Sequence, residues 1–302
     1  MSKLKAWINA ARLRTLPLSI SGIIVGASLA NIYGFQNWSI FLLAVFTTIS
    51  FQVTSNFAND YGDGVKGTDN DDRVGPKRAL QSGILSRAEL KSGIIIAVIV
   101  SLILAIVLLF LAFGKDKLGT ILLFLFLAIA SIWAAIKYTV GNSAYGYKGL
   151  GDVFVFLFFG LLGVLGSMFL FTGYLTVLAV LPAITIGLLS TGVLNLNNLR
   201  DHISDQKANK NTLIVKMGFK KGKLYHYLLL VGSFLSMLIF TILSASSLLN
   251  YLFLILYIPI CIHALKVYNT IEPKSLDPEL KKLALSTFFL AILFYISFNN
   301  FS

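Results

Sequence analysis

Nine stretches of this chain are apolar over close to the length that a helix needs to cross a bilayer. They run over about 16–34, 38–60, 92–113, 118–137, 152–171, 174–194, 224–245, 248–269 and 283–301. Hydrocarbon about 30 Å thick takes about 20 residues at helical rise. Backbone facing lipid has no water to bond to, so each run is expected as a helix, not a strand. The fold class that follows is an all-α integral membrane protein, nine transmembrane helices in a bundle. Residues 1–302 form one domain with no separate soluble part. The chain is 57% hydrophobic and 13% charged, whereas soluble domains have about 45–50% and about 25%. Pro17, Pro182 and Pro259 fall in or beside spans, where neighbouring helices absorb a kink.

The net charge of +12 is not accompanied by a basic helix or an aromatic RNA-binding motif, so no nucleic-acid partner is expected. It reads as topology. All but Lys115 and Lys117 of the 25 Lys+Arg fall in the N-terminal segment or in the loops after spans two, four, six and eight. The positive-inside rule then places the N-terminus and those loops in the cytoplasm, and the C-terminus on the other side of a plasma (inner) membrane. No small-residue cleavage site follows a short apolar run, so no removable signal peptide is expected. The single cysteine, Cys261, excludes an intrachain disulfide and a multi-cysteine metal site.

Two of the cytoplasmic loops are long, about 61–91 and 195–223, and each begins at an acidic stretch. The first is Asn56-Phe57-Ala58-Asn59-Asp60-Tyr61-Gly62-Asp63. The second is Asn197-Asn198-Leu199-Arg200-Asp201-His202-Ile203-Ser204-Asp205. Asn59, Asp60 and Asp63 align with Asn197, Asn198 and Asp201 without a gap. The pattern reads as an internal repeat of a helix–loop–helix unit, about 38–113 and 174–245. Pairing the units would bring both stretches to one mouth, with the long loops as a cap over a central cavity.

Asp60 and Asp63 are three apart and Asp201 and Asp205 four apart, so each pair shares a helix face roughly 5–6 Å apart at Cβ. Carboxylates so placed suit a hard cation such as Mg²⁺, which takes a few carboxylates, waters and phosphate oxygens. Asp69 adds charge nearby; Asp71 and Asp72 read better as solvated loop acids. No calcium loop fits from Asp60 or Asp69, and Gly218 to Lys223 lacks the spacing and the Ser/Thr of a P-loop. Lys66, Arg73 and Arg78 lie among these acids and suit a diphosphate. Lys220, Lys221, Lys281 and Lys282 need no more than positive-inside charge. Lys137-Tyr138 closes span four. The pair is either an interfacial anchor or a phosphate-binding cation beside a ring that stabilises positive charge. His202 lies about 100° around the helix from Asp201 and reads as a bystander. His226 and His263 show no partner in the sequence.

At these residues the chain resembles the UbiA-type intramembrane prenyltransferases. Asn59-Asp60-xx-Asp63 is similar to that family's first Asp-rich motif and Asp201-xxx-Asp205 to its second. The branch that prenylates 1,4-dihydroxy-2-naphthoate in menaquinone biosynthesis is more similar still. Its likeness lies in Asn59-Asp60-Tyr61-Gly62-Asp63-xx-Lys66-Gly67-x-Asp69 and Arg73-x-Gly75-Pro76-x-Arg78. It continues in Arg12-x-Arg14-Thr15-Leu16-Pro17, Gly146 to Phe156, Asn198-Leu199-Arg200-Asp201 and Lys210-x-Thr212-Leu213. There are departures. Gly67 stands where a third Asp is usual, Ala144 where Pro is frequent, and Asn209-Lys210-Asn211 replaces a Gly-Lys-Arg-like run, which leaves Lys210 without a role.

The resemblance implies Mg²⁺ on Asp60, Asp63, Asp69, Asp201 and Asp205, and a polyprenyl diphosphate held through Lys66, Arg73, Arg78 and Asn197. It places Asn59, Lys137 and Tyr138 in catalysis. The expected reaction is prenyl transfer to 1,4-dihydroxy-2-naphthoate with loss of CO₂ and diphosphate, giving demethylmenaquinone. The alternative acceptor is 4-hydroxybenzoate. A transporter would place its charges near the midplane, whereas these gather at one mouth.

Overall fold

The computed structural model describes residues 2–69, 75 and 78–299, all helical or in connecting segments, with no strand among them. A short α1 (Lys3–Ala11) precedes α2 (Leu16–Ile32). Then come α3 (Trp38–Val65), α4 (Arg87–Phe113), α5 (Leu118–Lys137) and α6 (Gly151–Thr172). They are followed by α7 (Val180–Lys207), the short α8 (Leu213–Met217), α9 (Phe219–Ser244), α10 (Tyr257–Asn269) and α11 (Asp277–Asn299). Among the described residues nine helices are long and apolar enough to cross a membrane. They alternate in direction, so the ends of α3, α5 and α7 meet the starts of α4, α6 and α11 at one end of the bundle.

The helices outrun the apolar stretches. α3 continues to Val65 and α7 to Lys207, which puts both acidic stretches on helical backbone. Hydropathy marks the hydrocarbon; the helix ends only where its backbone bonds are capped. Asn209, with φ of 55°, makes that stop for α7, as Asn tolerates the left-handed conformation better than most residues. α4 starts at Arg87 behind a capping box of Ser86 and Glu89. α1, which carries Lys3 and Lys5, was not expected from the apolar pattern. It ends at Arg12, with φ of 52°. Its Trp7 meets Phe57 of α3 edge-on at 5.1 Å, and Lys3 pairs with Glu89 of α4 at 2.7 Å.

α2 and α7 are the inner helices. Small residues let backbones approach, the usual device where lipid supplies no hydrophobic drive between helices. A Cβ on Gly26 would lie 2.5 Å from the Val164 carbonyl oxygen, and one on Gly160 2.6 Å from Gly187 Cα. Over Phe156–Gly166, α6 winds as a π-helix. A core of α2, α6, α7, α9 and α11 side chains includes Val25, Met168, Ile186, Leu189 and Phe294. The outward faces are apolar at helical spacing: Ile96, Ile99, Ile103 and Phe110 on α4, and Leu224, Leu228, Val231 and Leu235 on α9 are exposed. Such stripes suit lipid. The hydroxyls of Thr47, Thr54 and Thr185 bond to carbonyls one turn back, so they bring no unsatisfied donor into the bundle.

Candidate active site

A cavity of about 590 Å³ opens between α2, α3, α4, α5, α6, α7 and α11. At the end where the acidic stretches meet, its wall is polar and charged, with Arg12, Asn59, Asp63, Arg78, Asn197 and Lys210. Deeper in it is apolar, with Leu18, Ile23, Ala44, Leu108, Phe124 and Leu170.

The two stretches do converge. Asp63 comes from the last turns of α3 and Asp205 from the last turn of α7. Lys210 Nζ stands 3.8 Å from Asp63 Oδ2 and 3.8 Å from Asp205 Oδ1. The left-handed turn at Asn209 brings this about, since it returns the Lys210 N–H to the Asp205 carbonyl at 2.8 Å. Burial works against the Lys210 charge, but Asp63 and Asp205 outweigh it and raise its pKa above the ordinary lysine value.

Tyr147, in the segment between α5 and α6, ties the two motif ends together. Its hydroxyl donates to Asp63 Oδ1 at 2.8 Å and lies 2.6 Å from Thr68 Oγ1. Its carbonyl accepts from the Asn211 N–H at 3.1 Å. Lys66 Nζ sits 3.8 Å from the ring centroid, and Lys210 Nζ 5.5 Å. Burial, then Asp63, raises the Tyr147 pKa, so the phenol stays a donor. Partial burial lowers the Lys66 pKa; Asp63 opposes that shift and Lys210 adds to it.

Arginines hold the other acids. Arg12 and Arg78 both donate to Asp60 Oδ1, at 2.6 and 2.7 Å, and Asp60 is 1% exposed. Arg78 Nε is also 3.7 Å from Asp69 Oδ1. Arg200 grips Asp201 and also donates to Asn197 Oδ1 at 2.9 Å and to Asp277 at the start of α11. Of the five acids expected to bind metal, Asp63 is the one that lines the cavity among the described residues; Asp60, Asp69, Asp201 and Asp205 are not part of its wall.

Asn59 faces the cavity and accepts from the Thr139 hydroxyl at 3.3 Å. Tyr138 lines the cavity too. It begins a row of rings formed by Tyr138, Tyr145, Phe154 and Phe158, with successive centroids 5.4, 3.9 and 6.0 Å apart. Burial pushes the Tyr138 phenol up to about 12, so its ring is neutral at working pH. Lys137 and Lys66 are not part of the cavity wall. Lys137 Nζ lies by Gly141, 3.5 Å from where a Cβ on that residue would stand. Arg73, with Asp71 and Asp72, lies outside the described residues.

The sequence alone assigned no role to Arg12, Arg200, Tyr147 or Lys210, although each sits inside a quoted motif; only cross-chain contacts distinguish them. His202 does not line the cavity: its Nδ1 meets the Leu199 carbonyl at 2.8 Å and its ring stacks on Phe219. For His226 and His263 the structure supplies the partners that the sequence did not show. Their Nε2 atoms are 2.9 Å apart, and His263 Nδ1 is 2.7 Å from Glu279, which also pairs with Lys282. That cluster ties α9, α10 and α11 together.

The donor set fits Mg²⁺. Carboxylates from two helices already share one cation, Lys210, and the other described groups around them are oxygen donors, Lys66 and arginines, with no sulfur. No group of three or more His, Cys, Asp or Glu placed to hold a metal is found among the described residues. Mg²⁺ commonly relies on one or two carboxylates, with waters and substrate phosphates completing its shell.

Fold and site together define a membrane-spanning helical protein whose cavity has a charged mouth and an apolar depth. The chain belongs to the UbiA prenyltransferase family, which it matches over residues 19–295. It is 45% identical over 295 residues to the 1,4-dihydroxy-2-naphthoate octaprenyltransferase of Haemophilus influenzae, covering 97% of this chain and 95% of that one. It is 40% identical over 296 residues to the Escherichia coli enzyme of the same name, with 98% and 96% covered. A solved structure of a UbiA homologue from Archaeoglobus fulgidus bound to DMAPP and Mg²⁺ shares the fold. Its TM-score is 0.68 and its identity 13%, covering 96% of this chain and 99% of that one.

Proposed function

We infer that this protein transfers a polyprenyl group from polyprenyl diphosphate to 1,4-dihydroxy-2-naphthoate. The observation that carries the reading is the junction of Asp63 and Asp205 at the charged end of an apolar cavity. The named relatives, similar over nearly their whole length, support the choice of acceptor.

Asp60, Asp63 and Asp69 from the first stretch and Asp201 and Asp205 from the second would hold Mg²⁺. What Mg²⁺ supplies when bound is neutralisation of the diphosphate charge. Arg78, Lys66, Arg73 and Asn197 would bind the diphosphate oxygens, with Asn59 orienting the head group. Arginine forks match phosphate oxygens in pairs. The apolar depth of the cavity takes the isoprenoid tail.

As the allylic C–O bond breaks, diphosphate departs with the bonding pair, and positive charge develops on the prenyl carbon. The row of rings from Tyr138 to Phe158 offers it a π face, and Lys137, which lies outside the cavity wall, would have to swing inward to attract the departing anion. The naphthoate ring carbon that bears the carboxylate bonds to the prenyl carbon. The C–CO₂ bond then breaks, its electron pair returns to the ring, and CO₂ leaves. The product is demethylmenaquinone in its hydroquinone form. Loss of CO₂ takes the place of proton removal, so no strong base is required. The motif end would face the cytoplasm of a plasma (inner) membrane, with α11 ending on the other side. An impermeant thiol reagent should then label Lys117→Cys from outside intact cells, in a Cys261→Ser background; labelling of Lys207→Cys instead would reverse the orientation.

The test offers purified protein a labelled polyprenyl diphosphate and Mg²⁺ with each of two acceptors. Prenylated product with 1,4-dihydroxy-2-naphthoate and little with 4-hydroxybenzoate is expected. Product with 4-hydroxybenzoate alone would reassign the acceptor; no product with either would overturn the reading.

A further inference from the structure

Lys210 stands where the two acidic stretches meet. Its ammonium is held between carboxylates of two different helices, 3.8 Å from one oxygen of each. Those distances are those of an ion pair and too long for hydrogen bonds that would fix the group. The side chain is 11% exposed and lines the cavity. The backbone that delivers it is specific: α7 stops at Asn209 in the left-handed conformation, and the Lys210 N–H folds back onto Asp205 itself. Tyr147 stands beside it, bonded to the same Asp63.

Two carboxylates facing each other across a mouth of low dielectric repel, and that repulsion rises steeply as water is excluded. An ammonium on a flexible four-carbon stem removes the repulsion without any bound ion. It also competes with any divalent ion for the same two oxygens. An arriving diphosphate changes the balance, because it gives the ammonium another anion within reach.

We propose that Lys210 is a tethered counter-ion: it holds Asp63 and Asp205 together before substrate and metal enter, and turns to the diphosphate once they do. Divalent metal therefore binds weakly to the free protein and tightly only together with a prenyl diphosphate. The proposal rests on the metal and diphosphate reading above.

The test is Mn²⁺ binding, followed by electron paramagnetic resonance on the full chain in detergent, with and without a slowly reacting prenyl thiolodiphosphate. In the wild type the thiolodiphosphate should tighten Mn²⁺ strongly. Lys210→Met should bind Mn²⁺ alone about 10-fold or more tighter than wild type, the scale expected when a competing charge is removed, and should gain little from the thiolodiphosphate. Lys210→Arg keeps the charge and should stay weak without it. Should the Met variant fail to fold, Lys210→Gln is read the same way. The proposal is overturned if the neutral variants bind Mn²⁺ alone no tighter than wild type while the thiolodiphosphate still recruits it. No Mn²⁺ retained by any form, even with the thiolodiphosphate, would instead remove the metal reading, and this proposal with it.

Discussion

Arg200 holds both oxygens of Asp201, Nε to Oδ1 at 2.8 Å and a terminal nitrogen to Oδ2 at 2.6 Å. The guanidinium is 1% exposed and also reaches Asn197 and Asp277. One residue thus fixes the orientation of an acid expected to bind metal and joins α7 to α11. Partners that orient metal ligands typically contribute about 10–100-fold in metal affinity or activity. Arg200→Lys should lose activity on that scale, because a point charge cannot reproduce the paired contact. The check is kcat/KM with Mn²⁺ affinity measured in the presence of a prenyl diphosphate; wild-type values for both would refute the positioning role.

Tyr147→Phe removes one hydroxyl and leaves the ring beneath Lys66 in place. Asp63 then loses a donor worth about 1.5–3 kcal/mol as a charge-assisted bond. A fall in kcat of about 10-fold or more is expected, with a loss of thermal stability no larger than that bond accounts for. A large stability loss with unaltered kcat would make Tyr147 a packing residue only.

Gly160 tests the packing of the inner helices. A Cβ there would meet Gly187 Cα at 2.6 Å and the Ala183 carbonyl oxygen at 2.7 Å, both backbone atoms that cannot swing aside. Gly160→Val should destabilise the protein by about 1–3 kcal/mol through overpacking, read as a lower midpoint of thermal unfolding in detergent. An unchanged midpoint would mean that α6 and α7 do not approach this closely.

The Tyr138 phenol is pushed up to about 12 by burial, whereas an unfolded tyrosine ionises near 10. The neutral form is thus favoured in the folded state. The stability it contributes is full below pH of about 10 and is lost as pH rises from there toward about 12. Alkaline unfolding should be shallower in Tyr138→Phe. An equal slope in both proteins would contradict the burial of this hydroxyl.

Much of the fold was legible in the chain because lipid imposes one rule on every span: about 20 apolar residues and a helical backbone. The nine apolar runs and the nine spanning helices correspond. Their ends were not legible. Asn56 to Val65 and Asn195 to Lys207 are polar stretches that continue as helix, and hydropathy cannot tell a helix leaving the membrane from a loop. The π-helical winding of Phe156–Gly166 left no mark either, since every residue in it is apolar or Gly.

At the site, the acids were legible because carboxylates are rare in this chain. Their partners were not. Arg12 reaches Asp60 from another helix, and Tyr147 reaches Asp63 from the segment after α5; spacing along one helix says nothing about either contact. Lys210 was visible as part of a motif, but its place between two helices depends on the turn at Asn209, where Asn does the conformational work usually left to Gly.

The central claim is tested most directly by stoichiometry. Purified protein is given polyprenyl diphosphate, Mg²⁺ and 1,4-dihydroxy-2-naphthoate labelled in its carboxylate, and released CO₂, diphosphate and prenylated product are counted together. The account predicts one CO₂ and one diphosphate for each product formed. Product that keeps the labelled carboxylate, or no product at all, would contradict it.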